Sequence, residues 1–312
     1  MDTTVCACRV RRTDSGKLPH KERKIIISLD MIGIVIVSYK NQEGTVAFIN
    51  EQLPKIGVPW KAVVVENSPD ESVGKAIAER CGGVLLRHPD EAIEKQSRVY
   101  VVSTLENLGF AQGNNLGADI LARNFAVDYL LFSNDDIIIS DSRVMEKMLL
   151  QFDRWQDVAI VGPRIIGKDN RDQSPHYRII TPLRQIGWKL FRRFRRNREA
   201  ARPAIEPPQS SYCYWVSGCF FLVRQSDFSA VGGFDPRTFL YSEEVILSER
   251  MKRIGKRSYF MADTSVVHLG GCSTQQVTNR TLHRYLKQSN CIYYRNYLHS
   301  NPVIVWLYKV IC

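Results

Sequence analysis

Two acidic residues close an apolar stretch of the chain at a place where they could bind a metal ion. Asn134, Asp135 and Asp136 directly follow Tyr129 to Phe132 (YLLF), a run that is typical of a buried strand. Carboxylate oxygens are ligands that Mg²⁺ and Mn²⁺ prefer, and such a cation is commonly shared with substrate phosphates. There it can offset the negative charge that develops on a diphosphate leaving group. Taken alone, the same three residues also fit a solvated loop in which an Asp caps a helix.

A second acidic pair lies at the predicted start of a helix over residues 242–254. Glu243 and Glu244 could provide a general base there, because a hydroxyl group becomes a good nucleophile when a carboxylate accepts its proton. Acids in the first turn are also favoured by the helix dipole, whether or not they do chemistry. His268 follows a predicted strand in the segment VVHLGG and is either a metal ligand or a polar residue at a strand end.

A glycine-rich segment precedes the predicted helix over 111–123. Asn107 to Gly117 reads NLGFAQGNNLG, and glycines at this spacing let the backbone approach a ligand and leave amide N–H groups free for an anion. The segment lacks the G-x-G-x-x-G spacing of dinucleotide-binding proteins. A turn followed by a helix cap explains it equally well.

Alternating strands and helices would bring these segments together. Strands are predicted over residues 32–37, 62–65, 84–86, 99–102, 129–132, 158–161, 214–223 and 259–261, and helices over 44–53, 71–80, 111–123 and 242–254. The run IGIVIV at 32–37 is typical of a strand covered on both faces. This pattern predicts parallel βαβ units, in which ligands bind beyond the carboxyl ends of the strands. The polar residues that begin at Glu66 and at Asn134 should therefore share one edge of the sheet.

The composition is that of a folded protein with an anionic partner. The chain has 312 residues, of which 44% are hydrophobic and 24% charged, which excludes a largely disordered chain. The formal net charge of +11 favours binding to a nucleotide phosphate, an anionic membrane or a nucleic acid. The eight cysteines are scattered without a C-x-x-C pair, which argues against a zinc site and a secreted disulfide framework and predicts mostly buried, reduced thiols.

The N-terminal segment does not have the pattern expected of a signal peptide. Residues 1–30 are basic and lack the apolar core of a signal peptide, and we expect them to be loosely ordered. The apolar run from Ile25 to Val37 is interrupted by Asp30 and Gly33 and is too short to span a bilayer. We therefore expect the catalytic part of the chain to lie in the cytoplasm.

A basic segment over residues 178–202 is predicted to form an amphipathic helix. Leu183, Ile186, Leu190 and Phe194 follow helical spacing, and Arg and Lys occupy much of the remaining surface. This pattern is typical of a helix that lies on an anionic membrane, and it fits a solvated helix packed on its own core equally well. Nucleic-acid binding is least favoured, since no nucleic-acid-binding fold accompanies the segment. The apolar tail over 301–312 is long enough to touch a bilayer but too short to cross one.

In their order along the chain, these motifs resemble those of the family 2 glycosyltransferases of the GT-A fold. Among them, the chain is most similar to the rhamnosyltransferase-like group, which builds bacterial surface polysaccharides. The resemblance extends over roughly residues 32–300 and implies an α/β fold with a mostly parallel central sheet flanked by helices. It also implies a nucleotide-sugar-binding half over 32–160, a basic helical insertion over 164–212 and an acceptor-binding, catalytic half over 213–300, followed by the C-terminal tail.

The resemblance assigns donor-binding roles to residues of the first half. The positions that contact the base or ribose in the family correspond to Ser38, Tyr39, Glu66 and Asn67. At one of these positions the family usually has Asp, whereas this chain has the longer Glu66. The other donor-binding positions correspond to Asn107, Gly109, Gly113, Asn114, Asn134 and Asp135.

The resemblance also assigns the metal and the base. Asp136 corresponds to the last carboxylate of the family's metal motif, and His268 to a histidine that helps bind the metal. Glu244 corresponds to the acidic base, with Glu243 beside it. In the family's E-D-x-D motif a further acid follows, and this chain has Ile246 in its place.

The implied activity is inverting transfer of a sugar, for which rhamnose is one candidate, from a nucleoside-diphosphate donor with a divalent cation (Mg²⁺ or Mn²⁺). The implied acceptor is a surface polysaccharide or a lipid-linked glycan, and the basic segment 178–202 would then hold the enzyme as a peripheral protein at the inner face of the cell membrane. Two alternatives stay open. A sugar nucleotidyltransferase also needs a strand-end carboxylate and a cation, although its glycine-rich loop is not seen after Val37. A non-catalytic nucleotide- or carbohydrate-binding relative is favoured by Ile246.

Overall fold

Runs of Val and Ile form the central strands of one mixed sheet. The computed structural model describes residues 31–93, 96–195, 208–270 and 278–312, and within these ranges ten strands join a single sheet. The strands are β1 (Ile32–Ser38), β2 (Trp60–Glu66), β3 (Val84–Leu86), β4 (Val99–Ser103), β5 (Tyr129–Ser133), β6 (Ile137–Ile139), β7 (Val158–Gly167), β8 (Ser211–Cys213), β9 (Phe220–Arg224) and β10 (Arg257–His268). The predicted leader 1–30 and the end of the basic segment, 196–202, lie outside the described residues.

Helices cover both faces of this sheet. They are α1 (Gln42–Ala47), α2 (Glu71–Arg80), α3 (Gly109–Asn124), α4 (Val144–Arg154), α5 (Pro182–Arg195), α6 (Gln225–Ala230), α7 (Glu243–Arg253), α8 (Asn279–Asn296) and α9 (Pro302–Ile311). A π turn at Phe48–Gln52 and a 3-10 turn at Leu53–Lys55 continue α1. None of the helices in the described ranges has the length and apolar character needed to cross a bilayer.

The first five strands bring several carboxyl ends to one edge of the sheet. β1 pairs in parallel with β2 and with β5, and β2 pairs in parallel with β4. In register, Ser38 at the end of β1 lies beside Glu66 at the end of β2, and Ser133 at the end of β5 lies beside Ile36. The chain adds strands on one side of β1 and then places β5 on the other side, the arrangement in which α/β proteins bind ligands. The polar residues at Glu66 and after Ser133 therefore share one edge, as the sequence predicted.

The second half of the chain extends the same sheet with antiparallel pairs. β9 lies between β5 and β7 and is antiparallel to both. β10 is parallel to β7 and antiparallel to β6 and β8. The predicted α/β fold with a helix-flanked central sheet is confirmed, and the sheet is mixed because the antiparallel pairs follow β5.

The alternation of side chains along the strands builds one core on each face of the sheet. In β1, Ile34 and Ile36 belong to a core that includes Phe152 of α4, whereas Val35 belongs to the core beneath α3. Gly117 lets α3 lie close to the sheet, because a Cβ at this position would be 2.5 Å from Val35 Cγ1. With both faces covered, the central strands need no polar face.

A third apolar cluster joins the C-terminal helices to α7. Val245 and Ile246 of α7 pack there with Tyr293 and Tyr294 of α8 and with Val305 of α9. α9 also contacts α5. The tail and the basic helix thus meet on one side of the molecule.

The structure corrects the strand that the sequence predicts over 214–223. β8 ends at Cys213 and β9 begins at Phe220, and residues 214–219 form a loop between them. The sequence of this loop resembles that of a strand, because its apolar residues pack against the sheet. Val216, for example, covers Gly162 so closely that a Cβ on the glycine would lie 2.8 Å from Val216 Cβ.

The described cysteines are free thiols, and most of them are partly buried rather than buried as the sequence predicts. Cys219 is buried, and Cys81, Cys213, Cys291 and Cys312 are partly buried. The remaining three, Cys6, Cys8 and Cys272, lie outside the described residues.

Candidate active site

A cavity of about 370 Å³ opens beyond the carboxyl ends of the first strands, and both halves of the chain line it. From the first half come Val37, Tyr39, Asn67, Asn107, Gly109, Phe110, Asn134, Asp135 and Asp136. From the second half come Ser217, Gly218, Cys219, Phe239, Leu240, Tyr241, Glu243, Glu244, His268 and Tyr285. The cavity therefore unites both predicted acidic pairs with the predicted histidine. Its size is that of a pocket for a small organic ligand.

Asp136 and His268 meet on one wall of the cavity, because β6 and the end of β10 are antiparallel neighbours. His268 Nε2 lies 3.4 Å from Asp136 Oδ1 and 3.5 Å from Asn134 Nδ2, and His268 Nδ1 lies 2.8 Å from Gln173 Oε1. Burial lowers the pKa of His268, but the Asp136 carboxylate and the Cys219 sulfur beside the ring raise it more, to about 10. A divalent cation at this place would replace the proton, because a ring nitrogen binds a metal only in the neutral imidazole.

The same wall has the chemistry of a divalent-cation site. Asp136 Oδ1 is buried and accepts no hydrogen bond of good geometry, so this oxygen suits a positive charge. Carboxylate, imidazole and amide groups are ligands that Mn²⁺ and Mg²⁺ accept. In the ranges that the structure describes, no group of three or more His, Cys, Asp and Glu side chains is arranged to hold a metal ion. A cation at Asp136 would therefore take further ligands from water and substrate phosphates, as Mg²⁺ commonly does.

Asp135 is held from behind by a buried hydroxyl network. Thr45 Oγ1 of α1 lies 2.7 Å from Asp135 Oδ2 and 2.9 Å from Ser38 Oγ. Ser38 and Thr45 are both fully buried. Burial raises the pKa of Asp135 to about 6, against hydrogen bonds from Thr45 and Asn41 that lower it. The network holds the Asp135 carboxylate in one orientation at the cavity wall, and Ser38 supports it without reaching the cavity.

Glu66 also lies behind the cavity wall. Its Oε1 accepts a hydrogen bond from the backbone N–H of Ser68 at 2.9 Å, and its Oε2 is buried without a hydrogen-bond partner. Burial raises the pKa of Glu66, although hydrogen bonds from Ser68 and Ser38 lower it. The next residue, Asn67, does line the cavity, and its Nδ2 donates to the Gly109 carbonyl oxygen at 3.3 Å. The donor-binding roles of Glu66 and Asn67 stay predictions. The structure supports the role of Asn67 better, because Asn67 lines the cavity and Glu66 does not.

Glu243 and Glu244 open α7 at the cavity. Glu243 is buried and its Oε1 has no hydrogen-bond partner. Glu244 is partly exposed at the cavity and lies against Gly218, where an added Cβ would overlap Glu244 Oε1. Burial raises the pKa of both carboxyl groups, that of Glu244 to about 7, although backbone N–H groups lower it. A carboxyl group with a pKa near neutrality is suited to accept a proton during a reaction at neutral pH.

A strained turn holds these carboxylates in place. Tyr241 and Ser242, directly before α7, have φ values of 74° and 68°, a conformation that costs about 1–3 kcal/mol for a residue with a Cβ. Hydrogen bonds to α8 maintain the turn: Ser289 Oγ donates to the Leu240 carbonyl at 2.9 Å, and Ser242 Oγ donates to Asn290 Oδ1 at 2.8 Å. Strain of this kind is common at functional sites.

The glycine-rich segment contributes its first glycine to the cavity. Gly109 has a φ of 76°, and a Cβ at this position would overlap the carbonyl oxygen of Phe239. Gly113 lies one turn deeper in α3, packed against Val37, and Asn114 is buried in the same helix. Neither Gly113 nor Asn114 lines the cavity. Their donor-binding roles stay predictions, and their observed contacts are packing contacts of α3.

The sequence motifs did not predict several of the residues that line the cavity. They are Ser217, Gly218, Cys219, Phe239, Tyr241 and Tyr285. Gly218 carried a usable signal, because an isolated glycine inside an apparent strand often marks a close backbone approach. Phe239 and Tyr241 belong to the segment FLYSEE that leads into the acidic pair. Tyr285, in a polar helix far along the chain, carried none.

Ile246, which replaces the last acid of the family motif, does not face the cavity. Its side chain is fully buried in the third apolar cluster, with Tyr293 and Tyr294. An acid at this position would therefore be buried among aromatic rings. The replacement removes no acidic group from the cavity of this chain.

Two sequence relatives have names that describe rhamnosyl transfer. Rhamnosyltransferase WbbL of Escherichia coli (strain K12) is 30% identical over 189 residues, which cover 58% of this chain and 68% of the relative. An N-acetylglucosaminyl-diphospho-decaprenol L-rhamnosyltransferase of Mycobacterium tuberculosis (strain ATCC 25618 / H37Rv) is 29% identical over 197 residues, which cover 60% of this chain. The match spans 64% of the mycobacterial relative's length. No family model matches the sequence.

Solved structures of glycosyltransferases share the fold. GalNAc-T7, crystallised with UDP, GalNAc and Mn²⁺, has a TM-score of 0.55 at 13% identity, over 86% of this chain and 50% of that one. S. aureus TarS 1–349 in complex with UDP-GlcNAc has a TM-score of 0.50 at 12% identity, over 86% of this chain and 67% of that one. At such identities the likeness concerns the fold alone, and it defines a protein of the GT-A class. The match to WbbL then shows that the chain belongs to the rhamnosyltransferase-like group of family 2 glycosyltransferases, as its motifs predicted.

Proposed function

We propose that the protein is an inverting glycosyltransferase that moves a sugar from a nucleoside-diphosphate donor to a hydroxyl group of a glycan. One observation carries the proposal: a single cavity holds Asp136, whose buried Oδ1 lacks a hydrogen bond, and Glu244, a carboxyl group in the first turn of α7. The first group suits a cation at a diphosphate, and the second suits an attacking hydroxyl. The relatives' names support rhamnose as the transferred sugar, and the nucleotides bound in the two solved structures support a nucleotide-sugar donor.

Glu244 acts on the acceptor in this proposal. Its carboxylate accepts the proton of the hydroxyl group while the oxygen forms a bond to the anomeric carbon. At the same time the bond between that carbon and the diphosphate oxygen breaks, and the bonding electrons leave with the nucleoside diphosphate. Attack from the face opposite the diphosphate inverts the configuration of the anomeric carbon.

In this proposal the donor binds where Asp136, His268 and the ends of β1 and β2 line the cavity. Asp136 and His268 would hold a divalent cation, Mg²⁺ or Mn²⁺, whose positive charge stabilises the leaving diphosphate. Asn67 and Tyr39 line the cavity at the ends of β2 and β1, where they can contact the base and ribose. Asp135, fixed by Thr45, is a further donor-binding group at the same edge.

Turnover of a panel of nucleotide sugars, with activated L-rhamnose among them, tests the proposal. Prenyl-diphospho-N-acetylglucosamine is a suitable acceptor, since the name of the mycobacterial relative specifies this chemistry. We expect release of nucleoside diphosphate, dependence on Mn²⁺ or Mg²⁺, and a product whose NMR spectrum shows inverted anomeric configuration. Pyrophosphate formed from a sugar 1-phosphate and a nucleoside triphosphate would identify a nucleotidyltransferase instead. Nucleotide binding without turnover across the panel would identify a non-catalytic relative.

We also propose that α5 and α9 form a membrane-contacting face, called here the α5–α9 face. It consists of the outward apolar residues Leu183, Trp188, Leu190, Val303, Trp306 and Val310. On α9, Val303, Trp306 and Val310 recur at helical spacing and are 64%, 57% and 62% exposed, while Val305 and Tyr308 on the other side are buried. An exposed apolar stripe of this kind is typical of a helix that lies in a membrane interface.

The charge around the α5–α9 face is positive. Lys189 of α5 and Lys309 of α9 are exposed beside it, and Arg184 of α5 is partly exposed. Each such cation contributes about 1 kcal/mol of attraction near an anionic bilayer. Of the described residues on the predicted apolar side of α5, Ile186 is buried, whereas Leu183 and Leu190 are 61% and 57% exposed. This exposure supports a membrane contact over a helix packed entirely on its own core.

Acidic substitutions on α9 should weaken membrane binding. We expect the double variant Trp306→Glu, Val310→Glu to bind vesicles of phosphatidylglycerol and phosphatidylcholine about 10-fold less tightly, because it loses apolar burial and gains repulsion. Co-sedimentation at several salt concentrations measures the effect. The control Val84→Glu introduces a charge at another exposed apolar residue, on β3, and should bind as the wild type does. Equal binding of all three proteins would remove the α5–α9 face from the proposal.

A further inference from the structure

One wall of the cavity is aromatic and has no part in the donor chemistry described above. Phe239, in the loop before α7, and Tyr285, on α8, both line the cavity. Their ring centroids lie 4.5 Å apart with an interplanar angle of 35°, so the two rings pack against each other as one tilted aromatic pair. Both residues are partly exposed, which leaves ring surface open to a ligand.

The aromatic wall is held in place from two sides. The carbonyl group of Phe239 accepts a hydrogen bond from the backbone N–H of Phe110 at 2.8 Å, which ties the loop to α3. The carbonyl group of the next residue, Leu240, accepts from Ser289 Oγ of α8. The loop that carries Phe239 is therefore held against α3 and α8 by hydrogen bonds that do not involve the aromatic rings.

The wall also has a fixed relation to the proposed base. The chain runs from Phe239 through the strained turn at Tyr241 and Ser242 directly to Glu244. A ligand that lies on the rings thus shares the cavity with the carboxylate that is proposed to accept a proton. The cation-binding side at Asp136 and His268 comes from other strands, β6 and β10.

The chemistry of the wall fits an uncharged sugar ring. Aromatic faces carry partial negative charge and attract the partly positive C–H groups on the apolar face of a pyranose. Binding sites for polar ligands commonly combine such apolar surface with a few polar groups that fix orientation. Glu244 is the polar group here, because a hydroxyl at the edge of a stacked sugar can donate to its carboxylate.

We propose that Phe239 and Tyr285 form the stacking subsite for the sugar of the acceptor, and that this subsite directs one hydroxyl group to Glu244. The inference rests on the proposed function and adds to it the chemical class and position of the acceptor's binding site. It assigns a binding role to two residues for which the motifs predict none.

Kinetics with prenyl-diphospho-N-acetylglucosamine and the preferred nucleotide sugar test the subsite. In Tyr285→Ala and in Phe239→Ala we expect the KM for the acceptor to rise about 10-fold, because each variant breaks the aromatic pair. In Tyr285→Ala the KM for the donor should stay within about 2-fold of the wild type, since none of the proposed donor-binding residues lies on α8. Tyr285→Phe is the matched control and should keep the acceptor KM, because it keeps the ring. Tyr285→Leu keeps the apolar volume without an aromatic face and should behave as Tyr285→Ala does.

The outcomes separate the subsite from the proposed function. An unchanged acceptor KM in Tyr285→Ala, or a donor KM that rises as much as the acceptor KM, overturns the stacking subsite while transfer itself continues. Absence of both transfer and donor hydrolysis in the wild type contradicts the proposed function instead. Thermal unfolding of each variant identifies any loss of activity that comes from misfolding. If Tyr285→Ala misfolds, the acceptor KM of Tyr285→Leu shows whether an aromatic ring is needed.

Discussion

Replacing Glu244 by Gln is expected to lower kcat for sugar transfer by about 10²- to 10⁴-fold, the usual contribution of a general base. The amide has nearly the same shape as the carboxylic acid but cannot accept the proton of the attacking hydroxyl. Donor binding should be unchanged, because in the proposed function the cation binds at Asp136 and His268 rather than at Glu244. Initial rates at saturating donor and acceptor, together with calorimetry of nucleotide binding, measure the two effects separately.

The pH profile of the wild type gives an independent measure of the same residue. Burial raises the pKa of Glu244 to about 7, so the group is largely protonated and inactive as a base below that pH. We therefore expect kcat/KM to rise as the pH increases through about 7. In Glu244→Gln this rise should disappear. A wild-type profile that is flat between pH 5 and pH 8, or a variant that keeps the rise, would assign the proton transfer to another group.

A second route to the same defect leaves Glu244 itself intact. In Gly218→Ala the new Cβ would overlap Glu244 Oε1, so the carboxylate must turn away from its position. We expect transfer to fall about 10²-fold, toward the level of Glu244→Gln, with little change in thermal stability, since the atom that must move is the end of a flexible side chain. Gly187→Ala in α5 is the matched control, because a Cβ there meets no atom within 4 Å. Full activity in Gly218→Ala would show that the position of Glu244 is not critical.

Replacing Asp136 by Asn is expected to reduce transfer by about 10²- to 10³-fold, the range seen when a group that stabilises developing charge is removed. The buried Asp136 Oδ1 accepts no hydrogen bond, and an amide at this position offers a divalent cation no negative charge. Nucleotide binding should lose its dependence on Mn²⁺ or Mg²⁺ as well. This second effect does not require turnover, so it can be measured with a nucleoside diphosphate alone.

Thermal unfolding with and without the cation measures whether nucleotide binding depends on it. A ligand that binds the folded state raises the apparent unfolding temperature. We expect the wild type to respond to nucleoside diphosphate more strongly when Mn²⁺ is present, and Asp136→Asn to respond equally in both conditions. The exposed Asp263→Asn is a control for the general loss of one negative charge. If Asp136→Asn keeps the response to Mn²⁺, the cation binds elsewhere.

Much of the fold could be predicted because local patterns and tertiary structure agree in the first half. The β-branched runs of β1 and β2 end at polar turns, and α2 occupies the predicted residues 71–80. The prediction failed where the sequence pattern of a segment did not match its secondary structure. The loop at 214–219 has the apolar residues of a strand because Val216 packs over Gly162. α8 gave no clear helical pattern because its buried side includes the polar residues Ser289 and Asn290, which bond to the turn before α7.

The sequence predicted those residues of the candidate site whose side chains can bind a metal ion or accept a proton. Asp136 and His268 follow apolar strands and Glu244 opens a helix, and all three line the cavity. Glu66 was predicted at the same edge but lies behind the wall, because its longer side chain reaches the backbone of Ser68. Residues such as Tyr285 could not be predicted, because only the tertiary structure brings α8 to this edge.

The position of β9 restricts how the enzyme can move. This strand comes from the second half of the chain, yet it lies between β5 and β7, and the N–H of Asn134 donates to the carbonyl of Cys219 at 2.9 Å. The strands behind both walls of the cavity consequently belong to one continuous sheet. Uptake of substrates and departure of products must then depend on loops and side chains at the rim, and the two halves should unfold in a single cooperative transition.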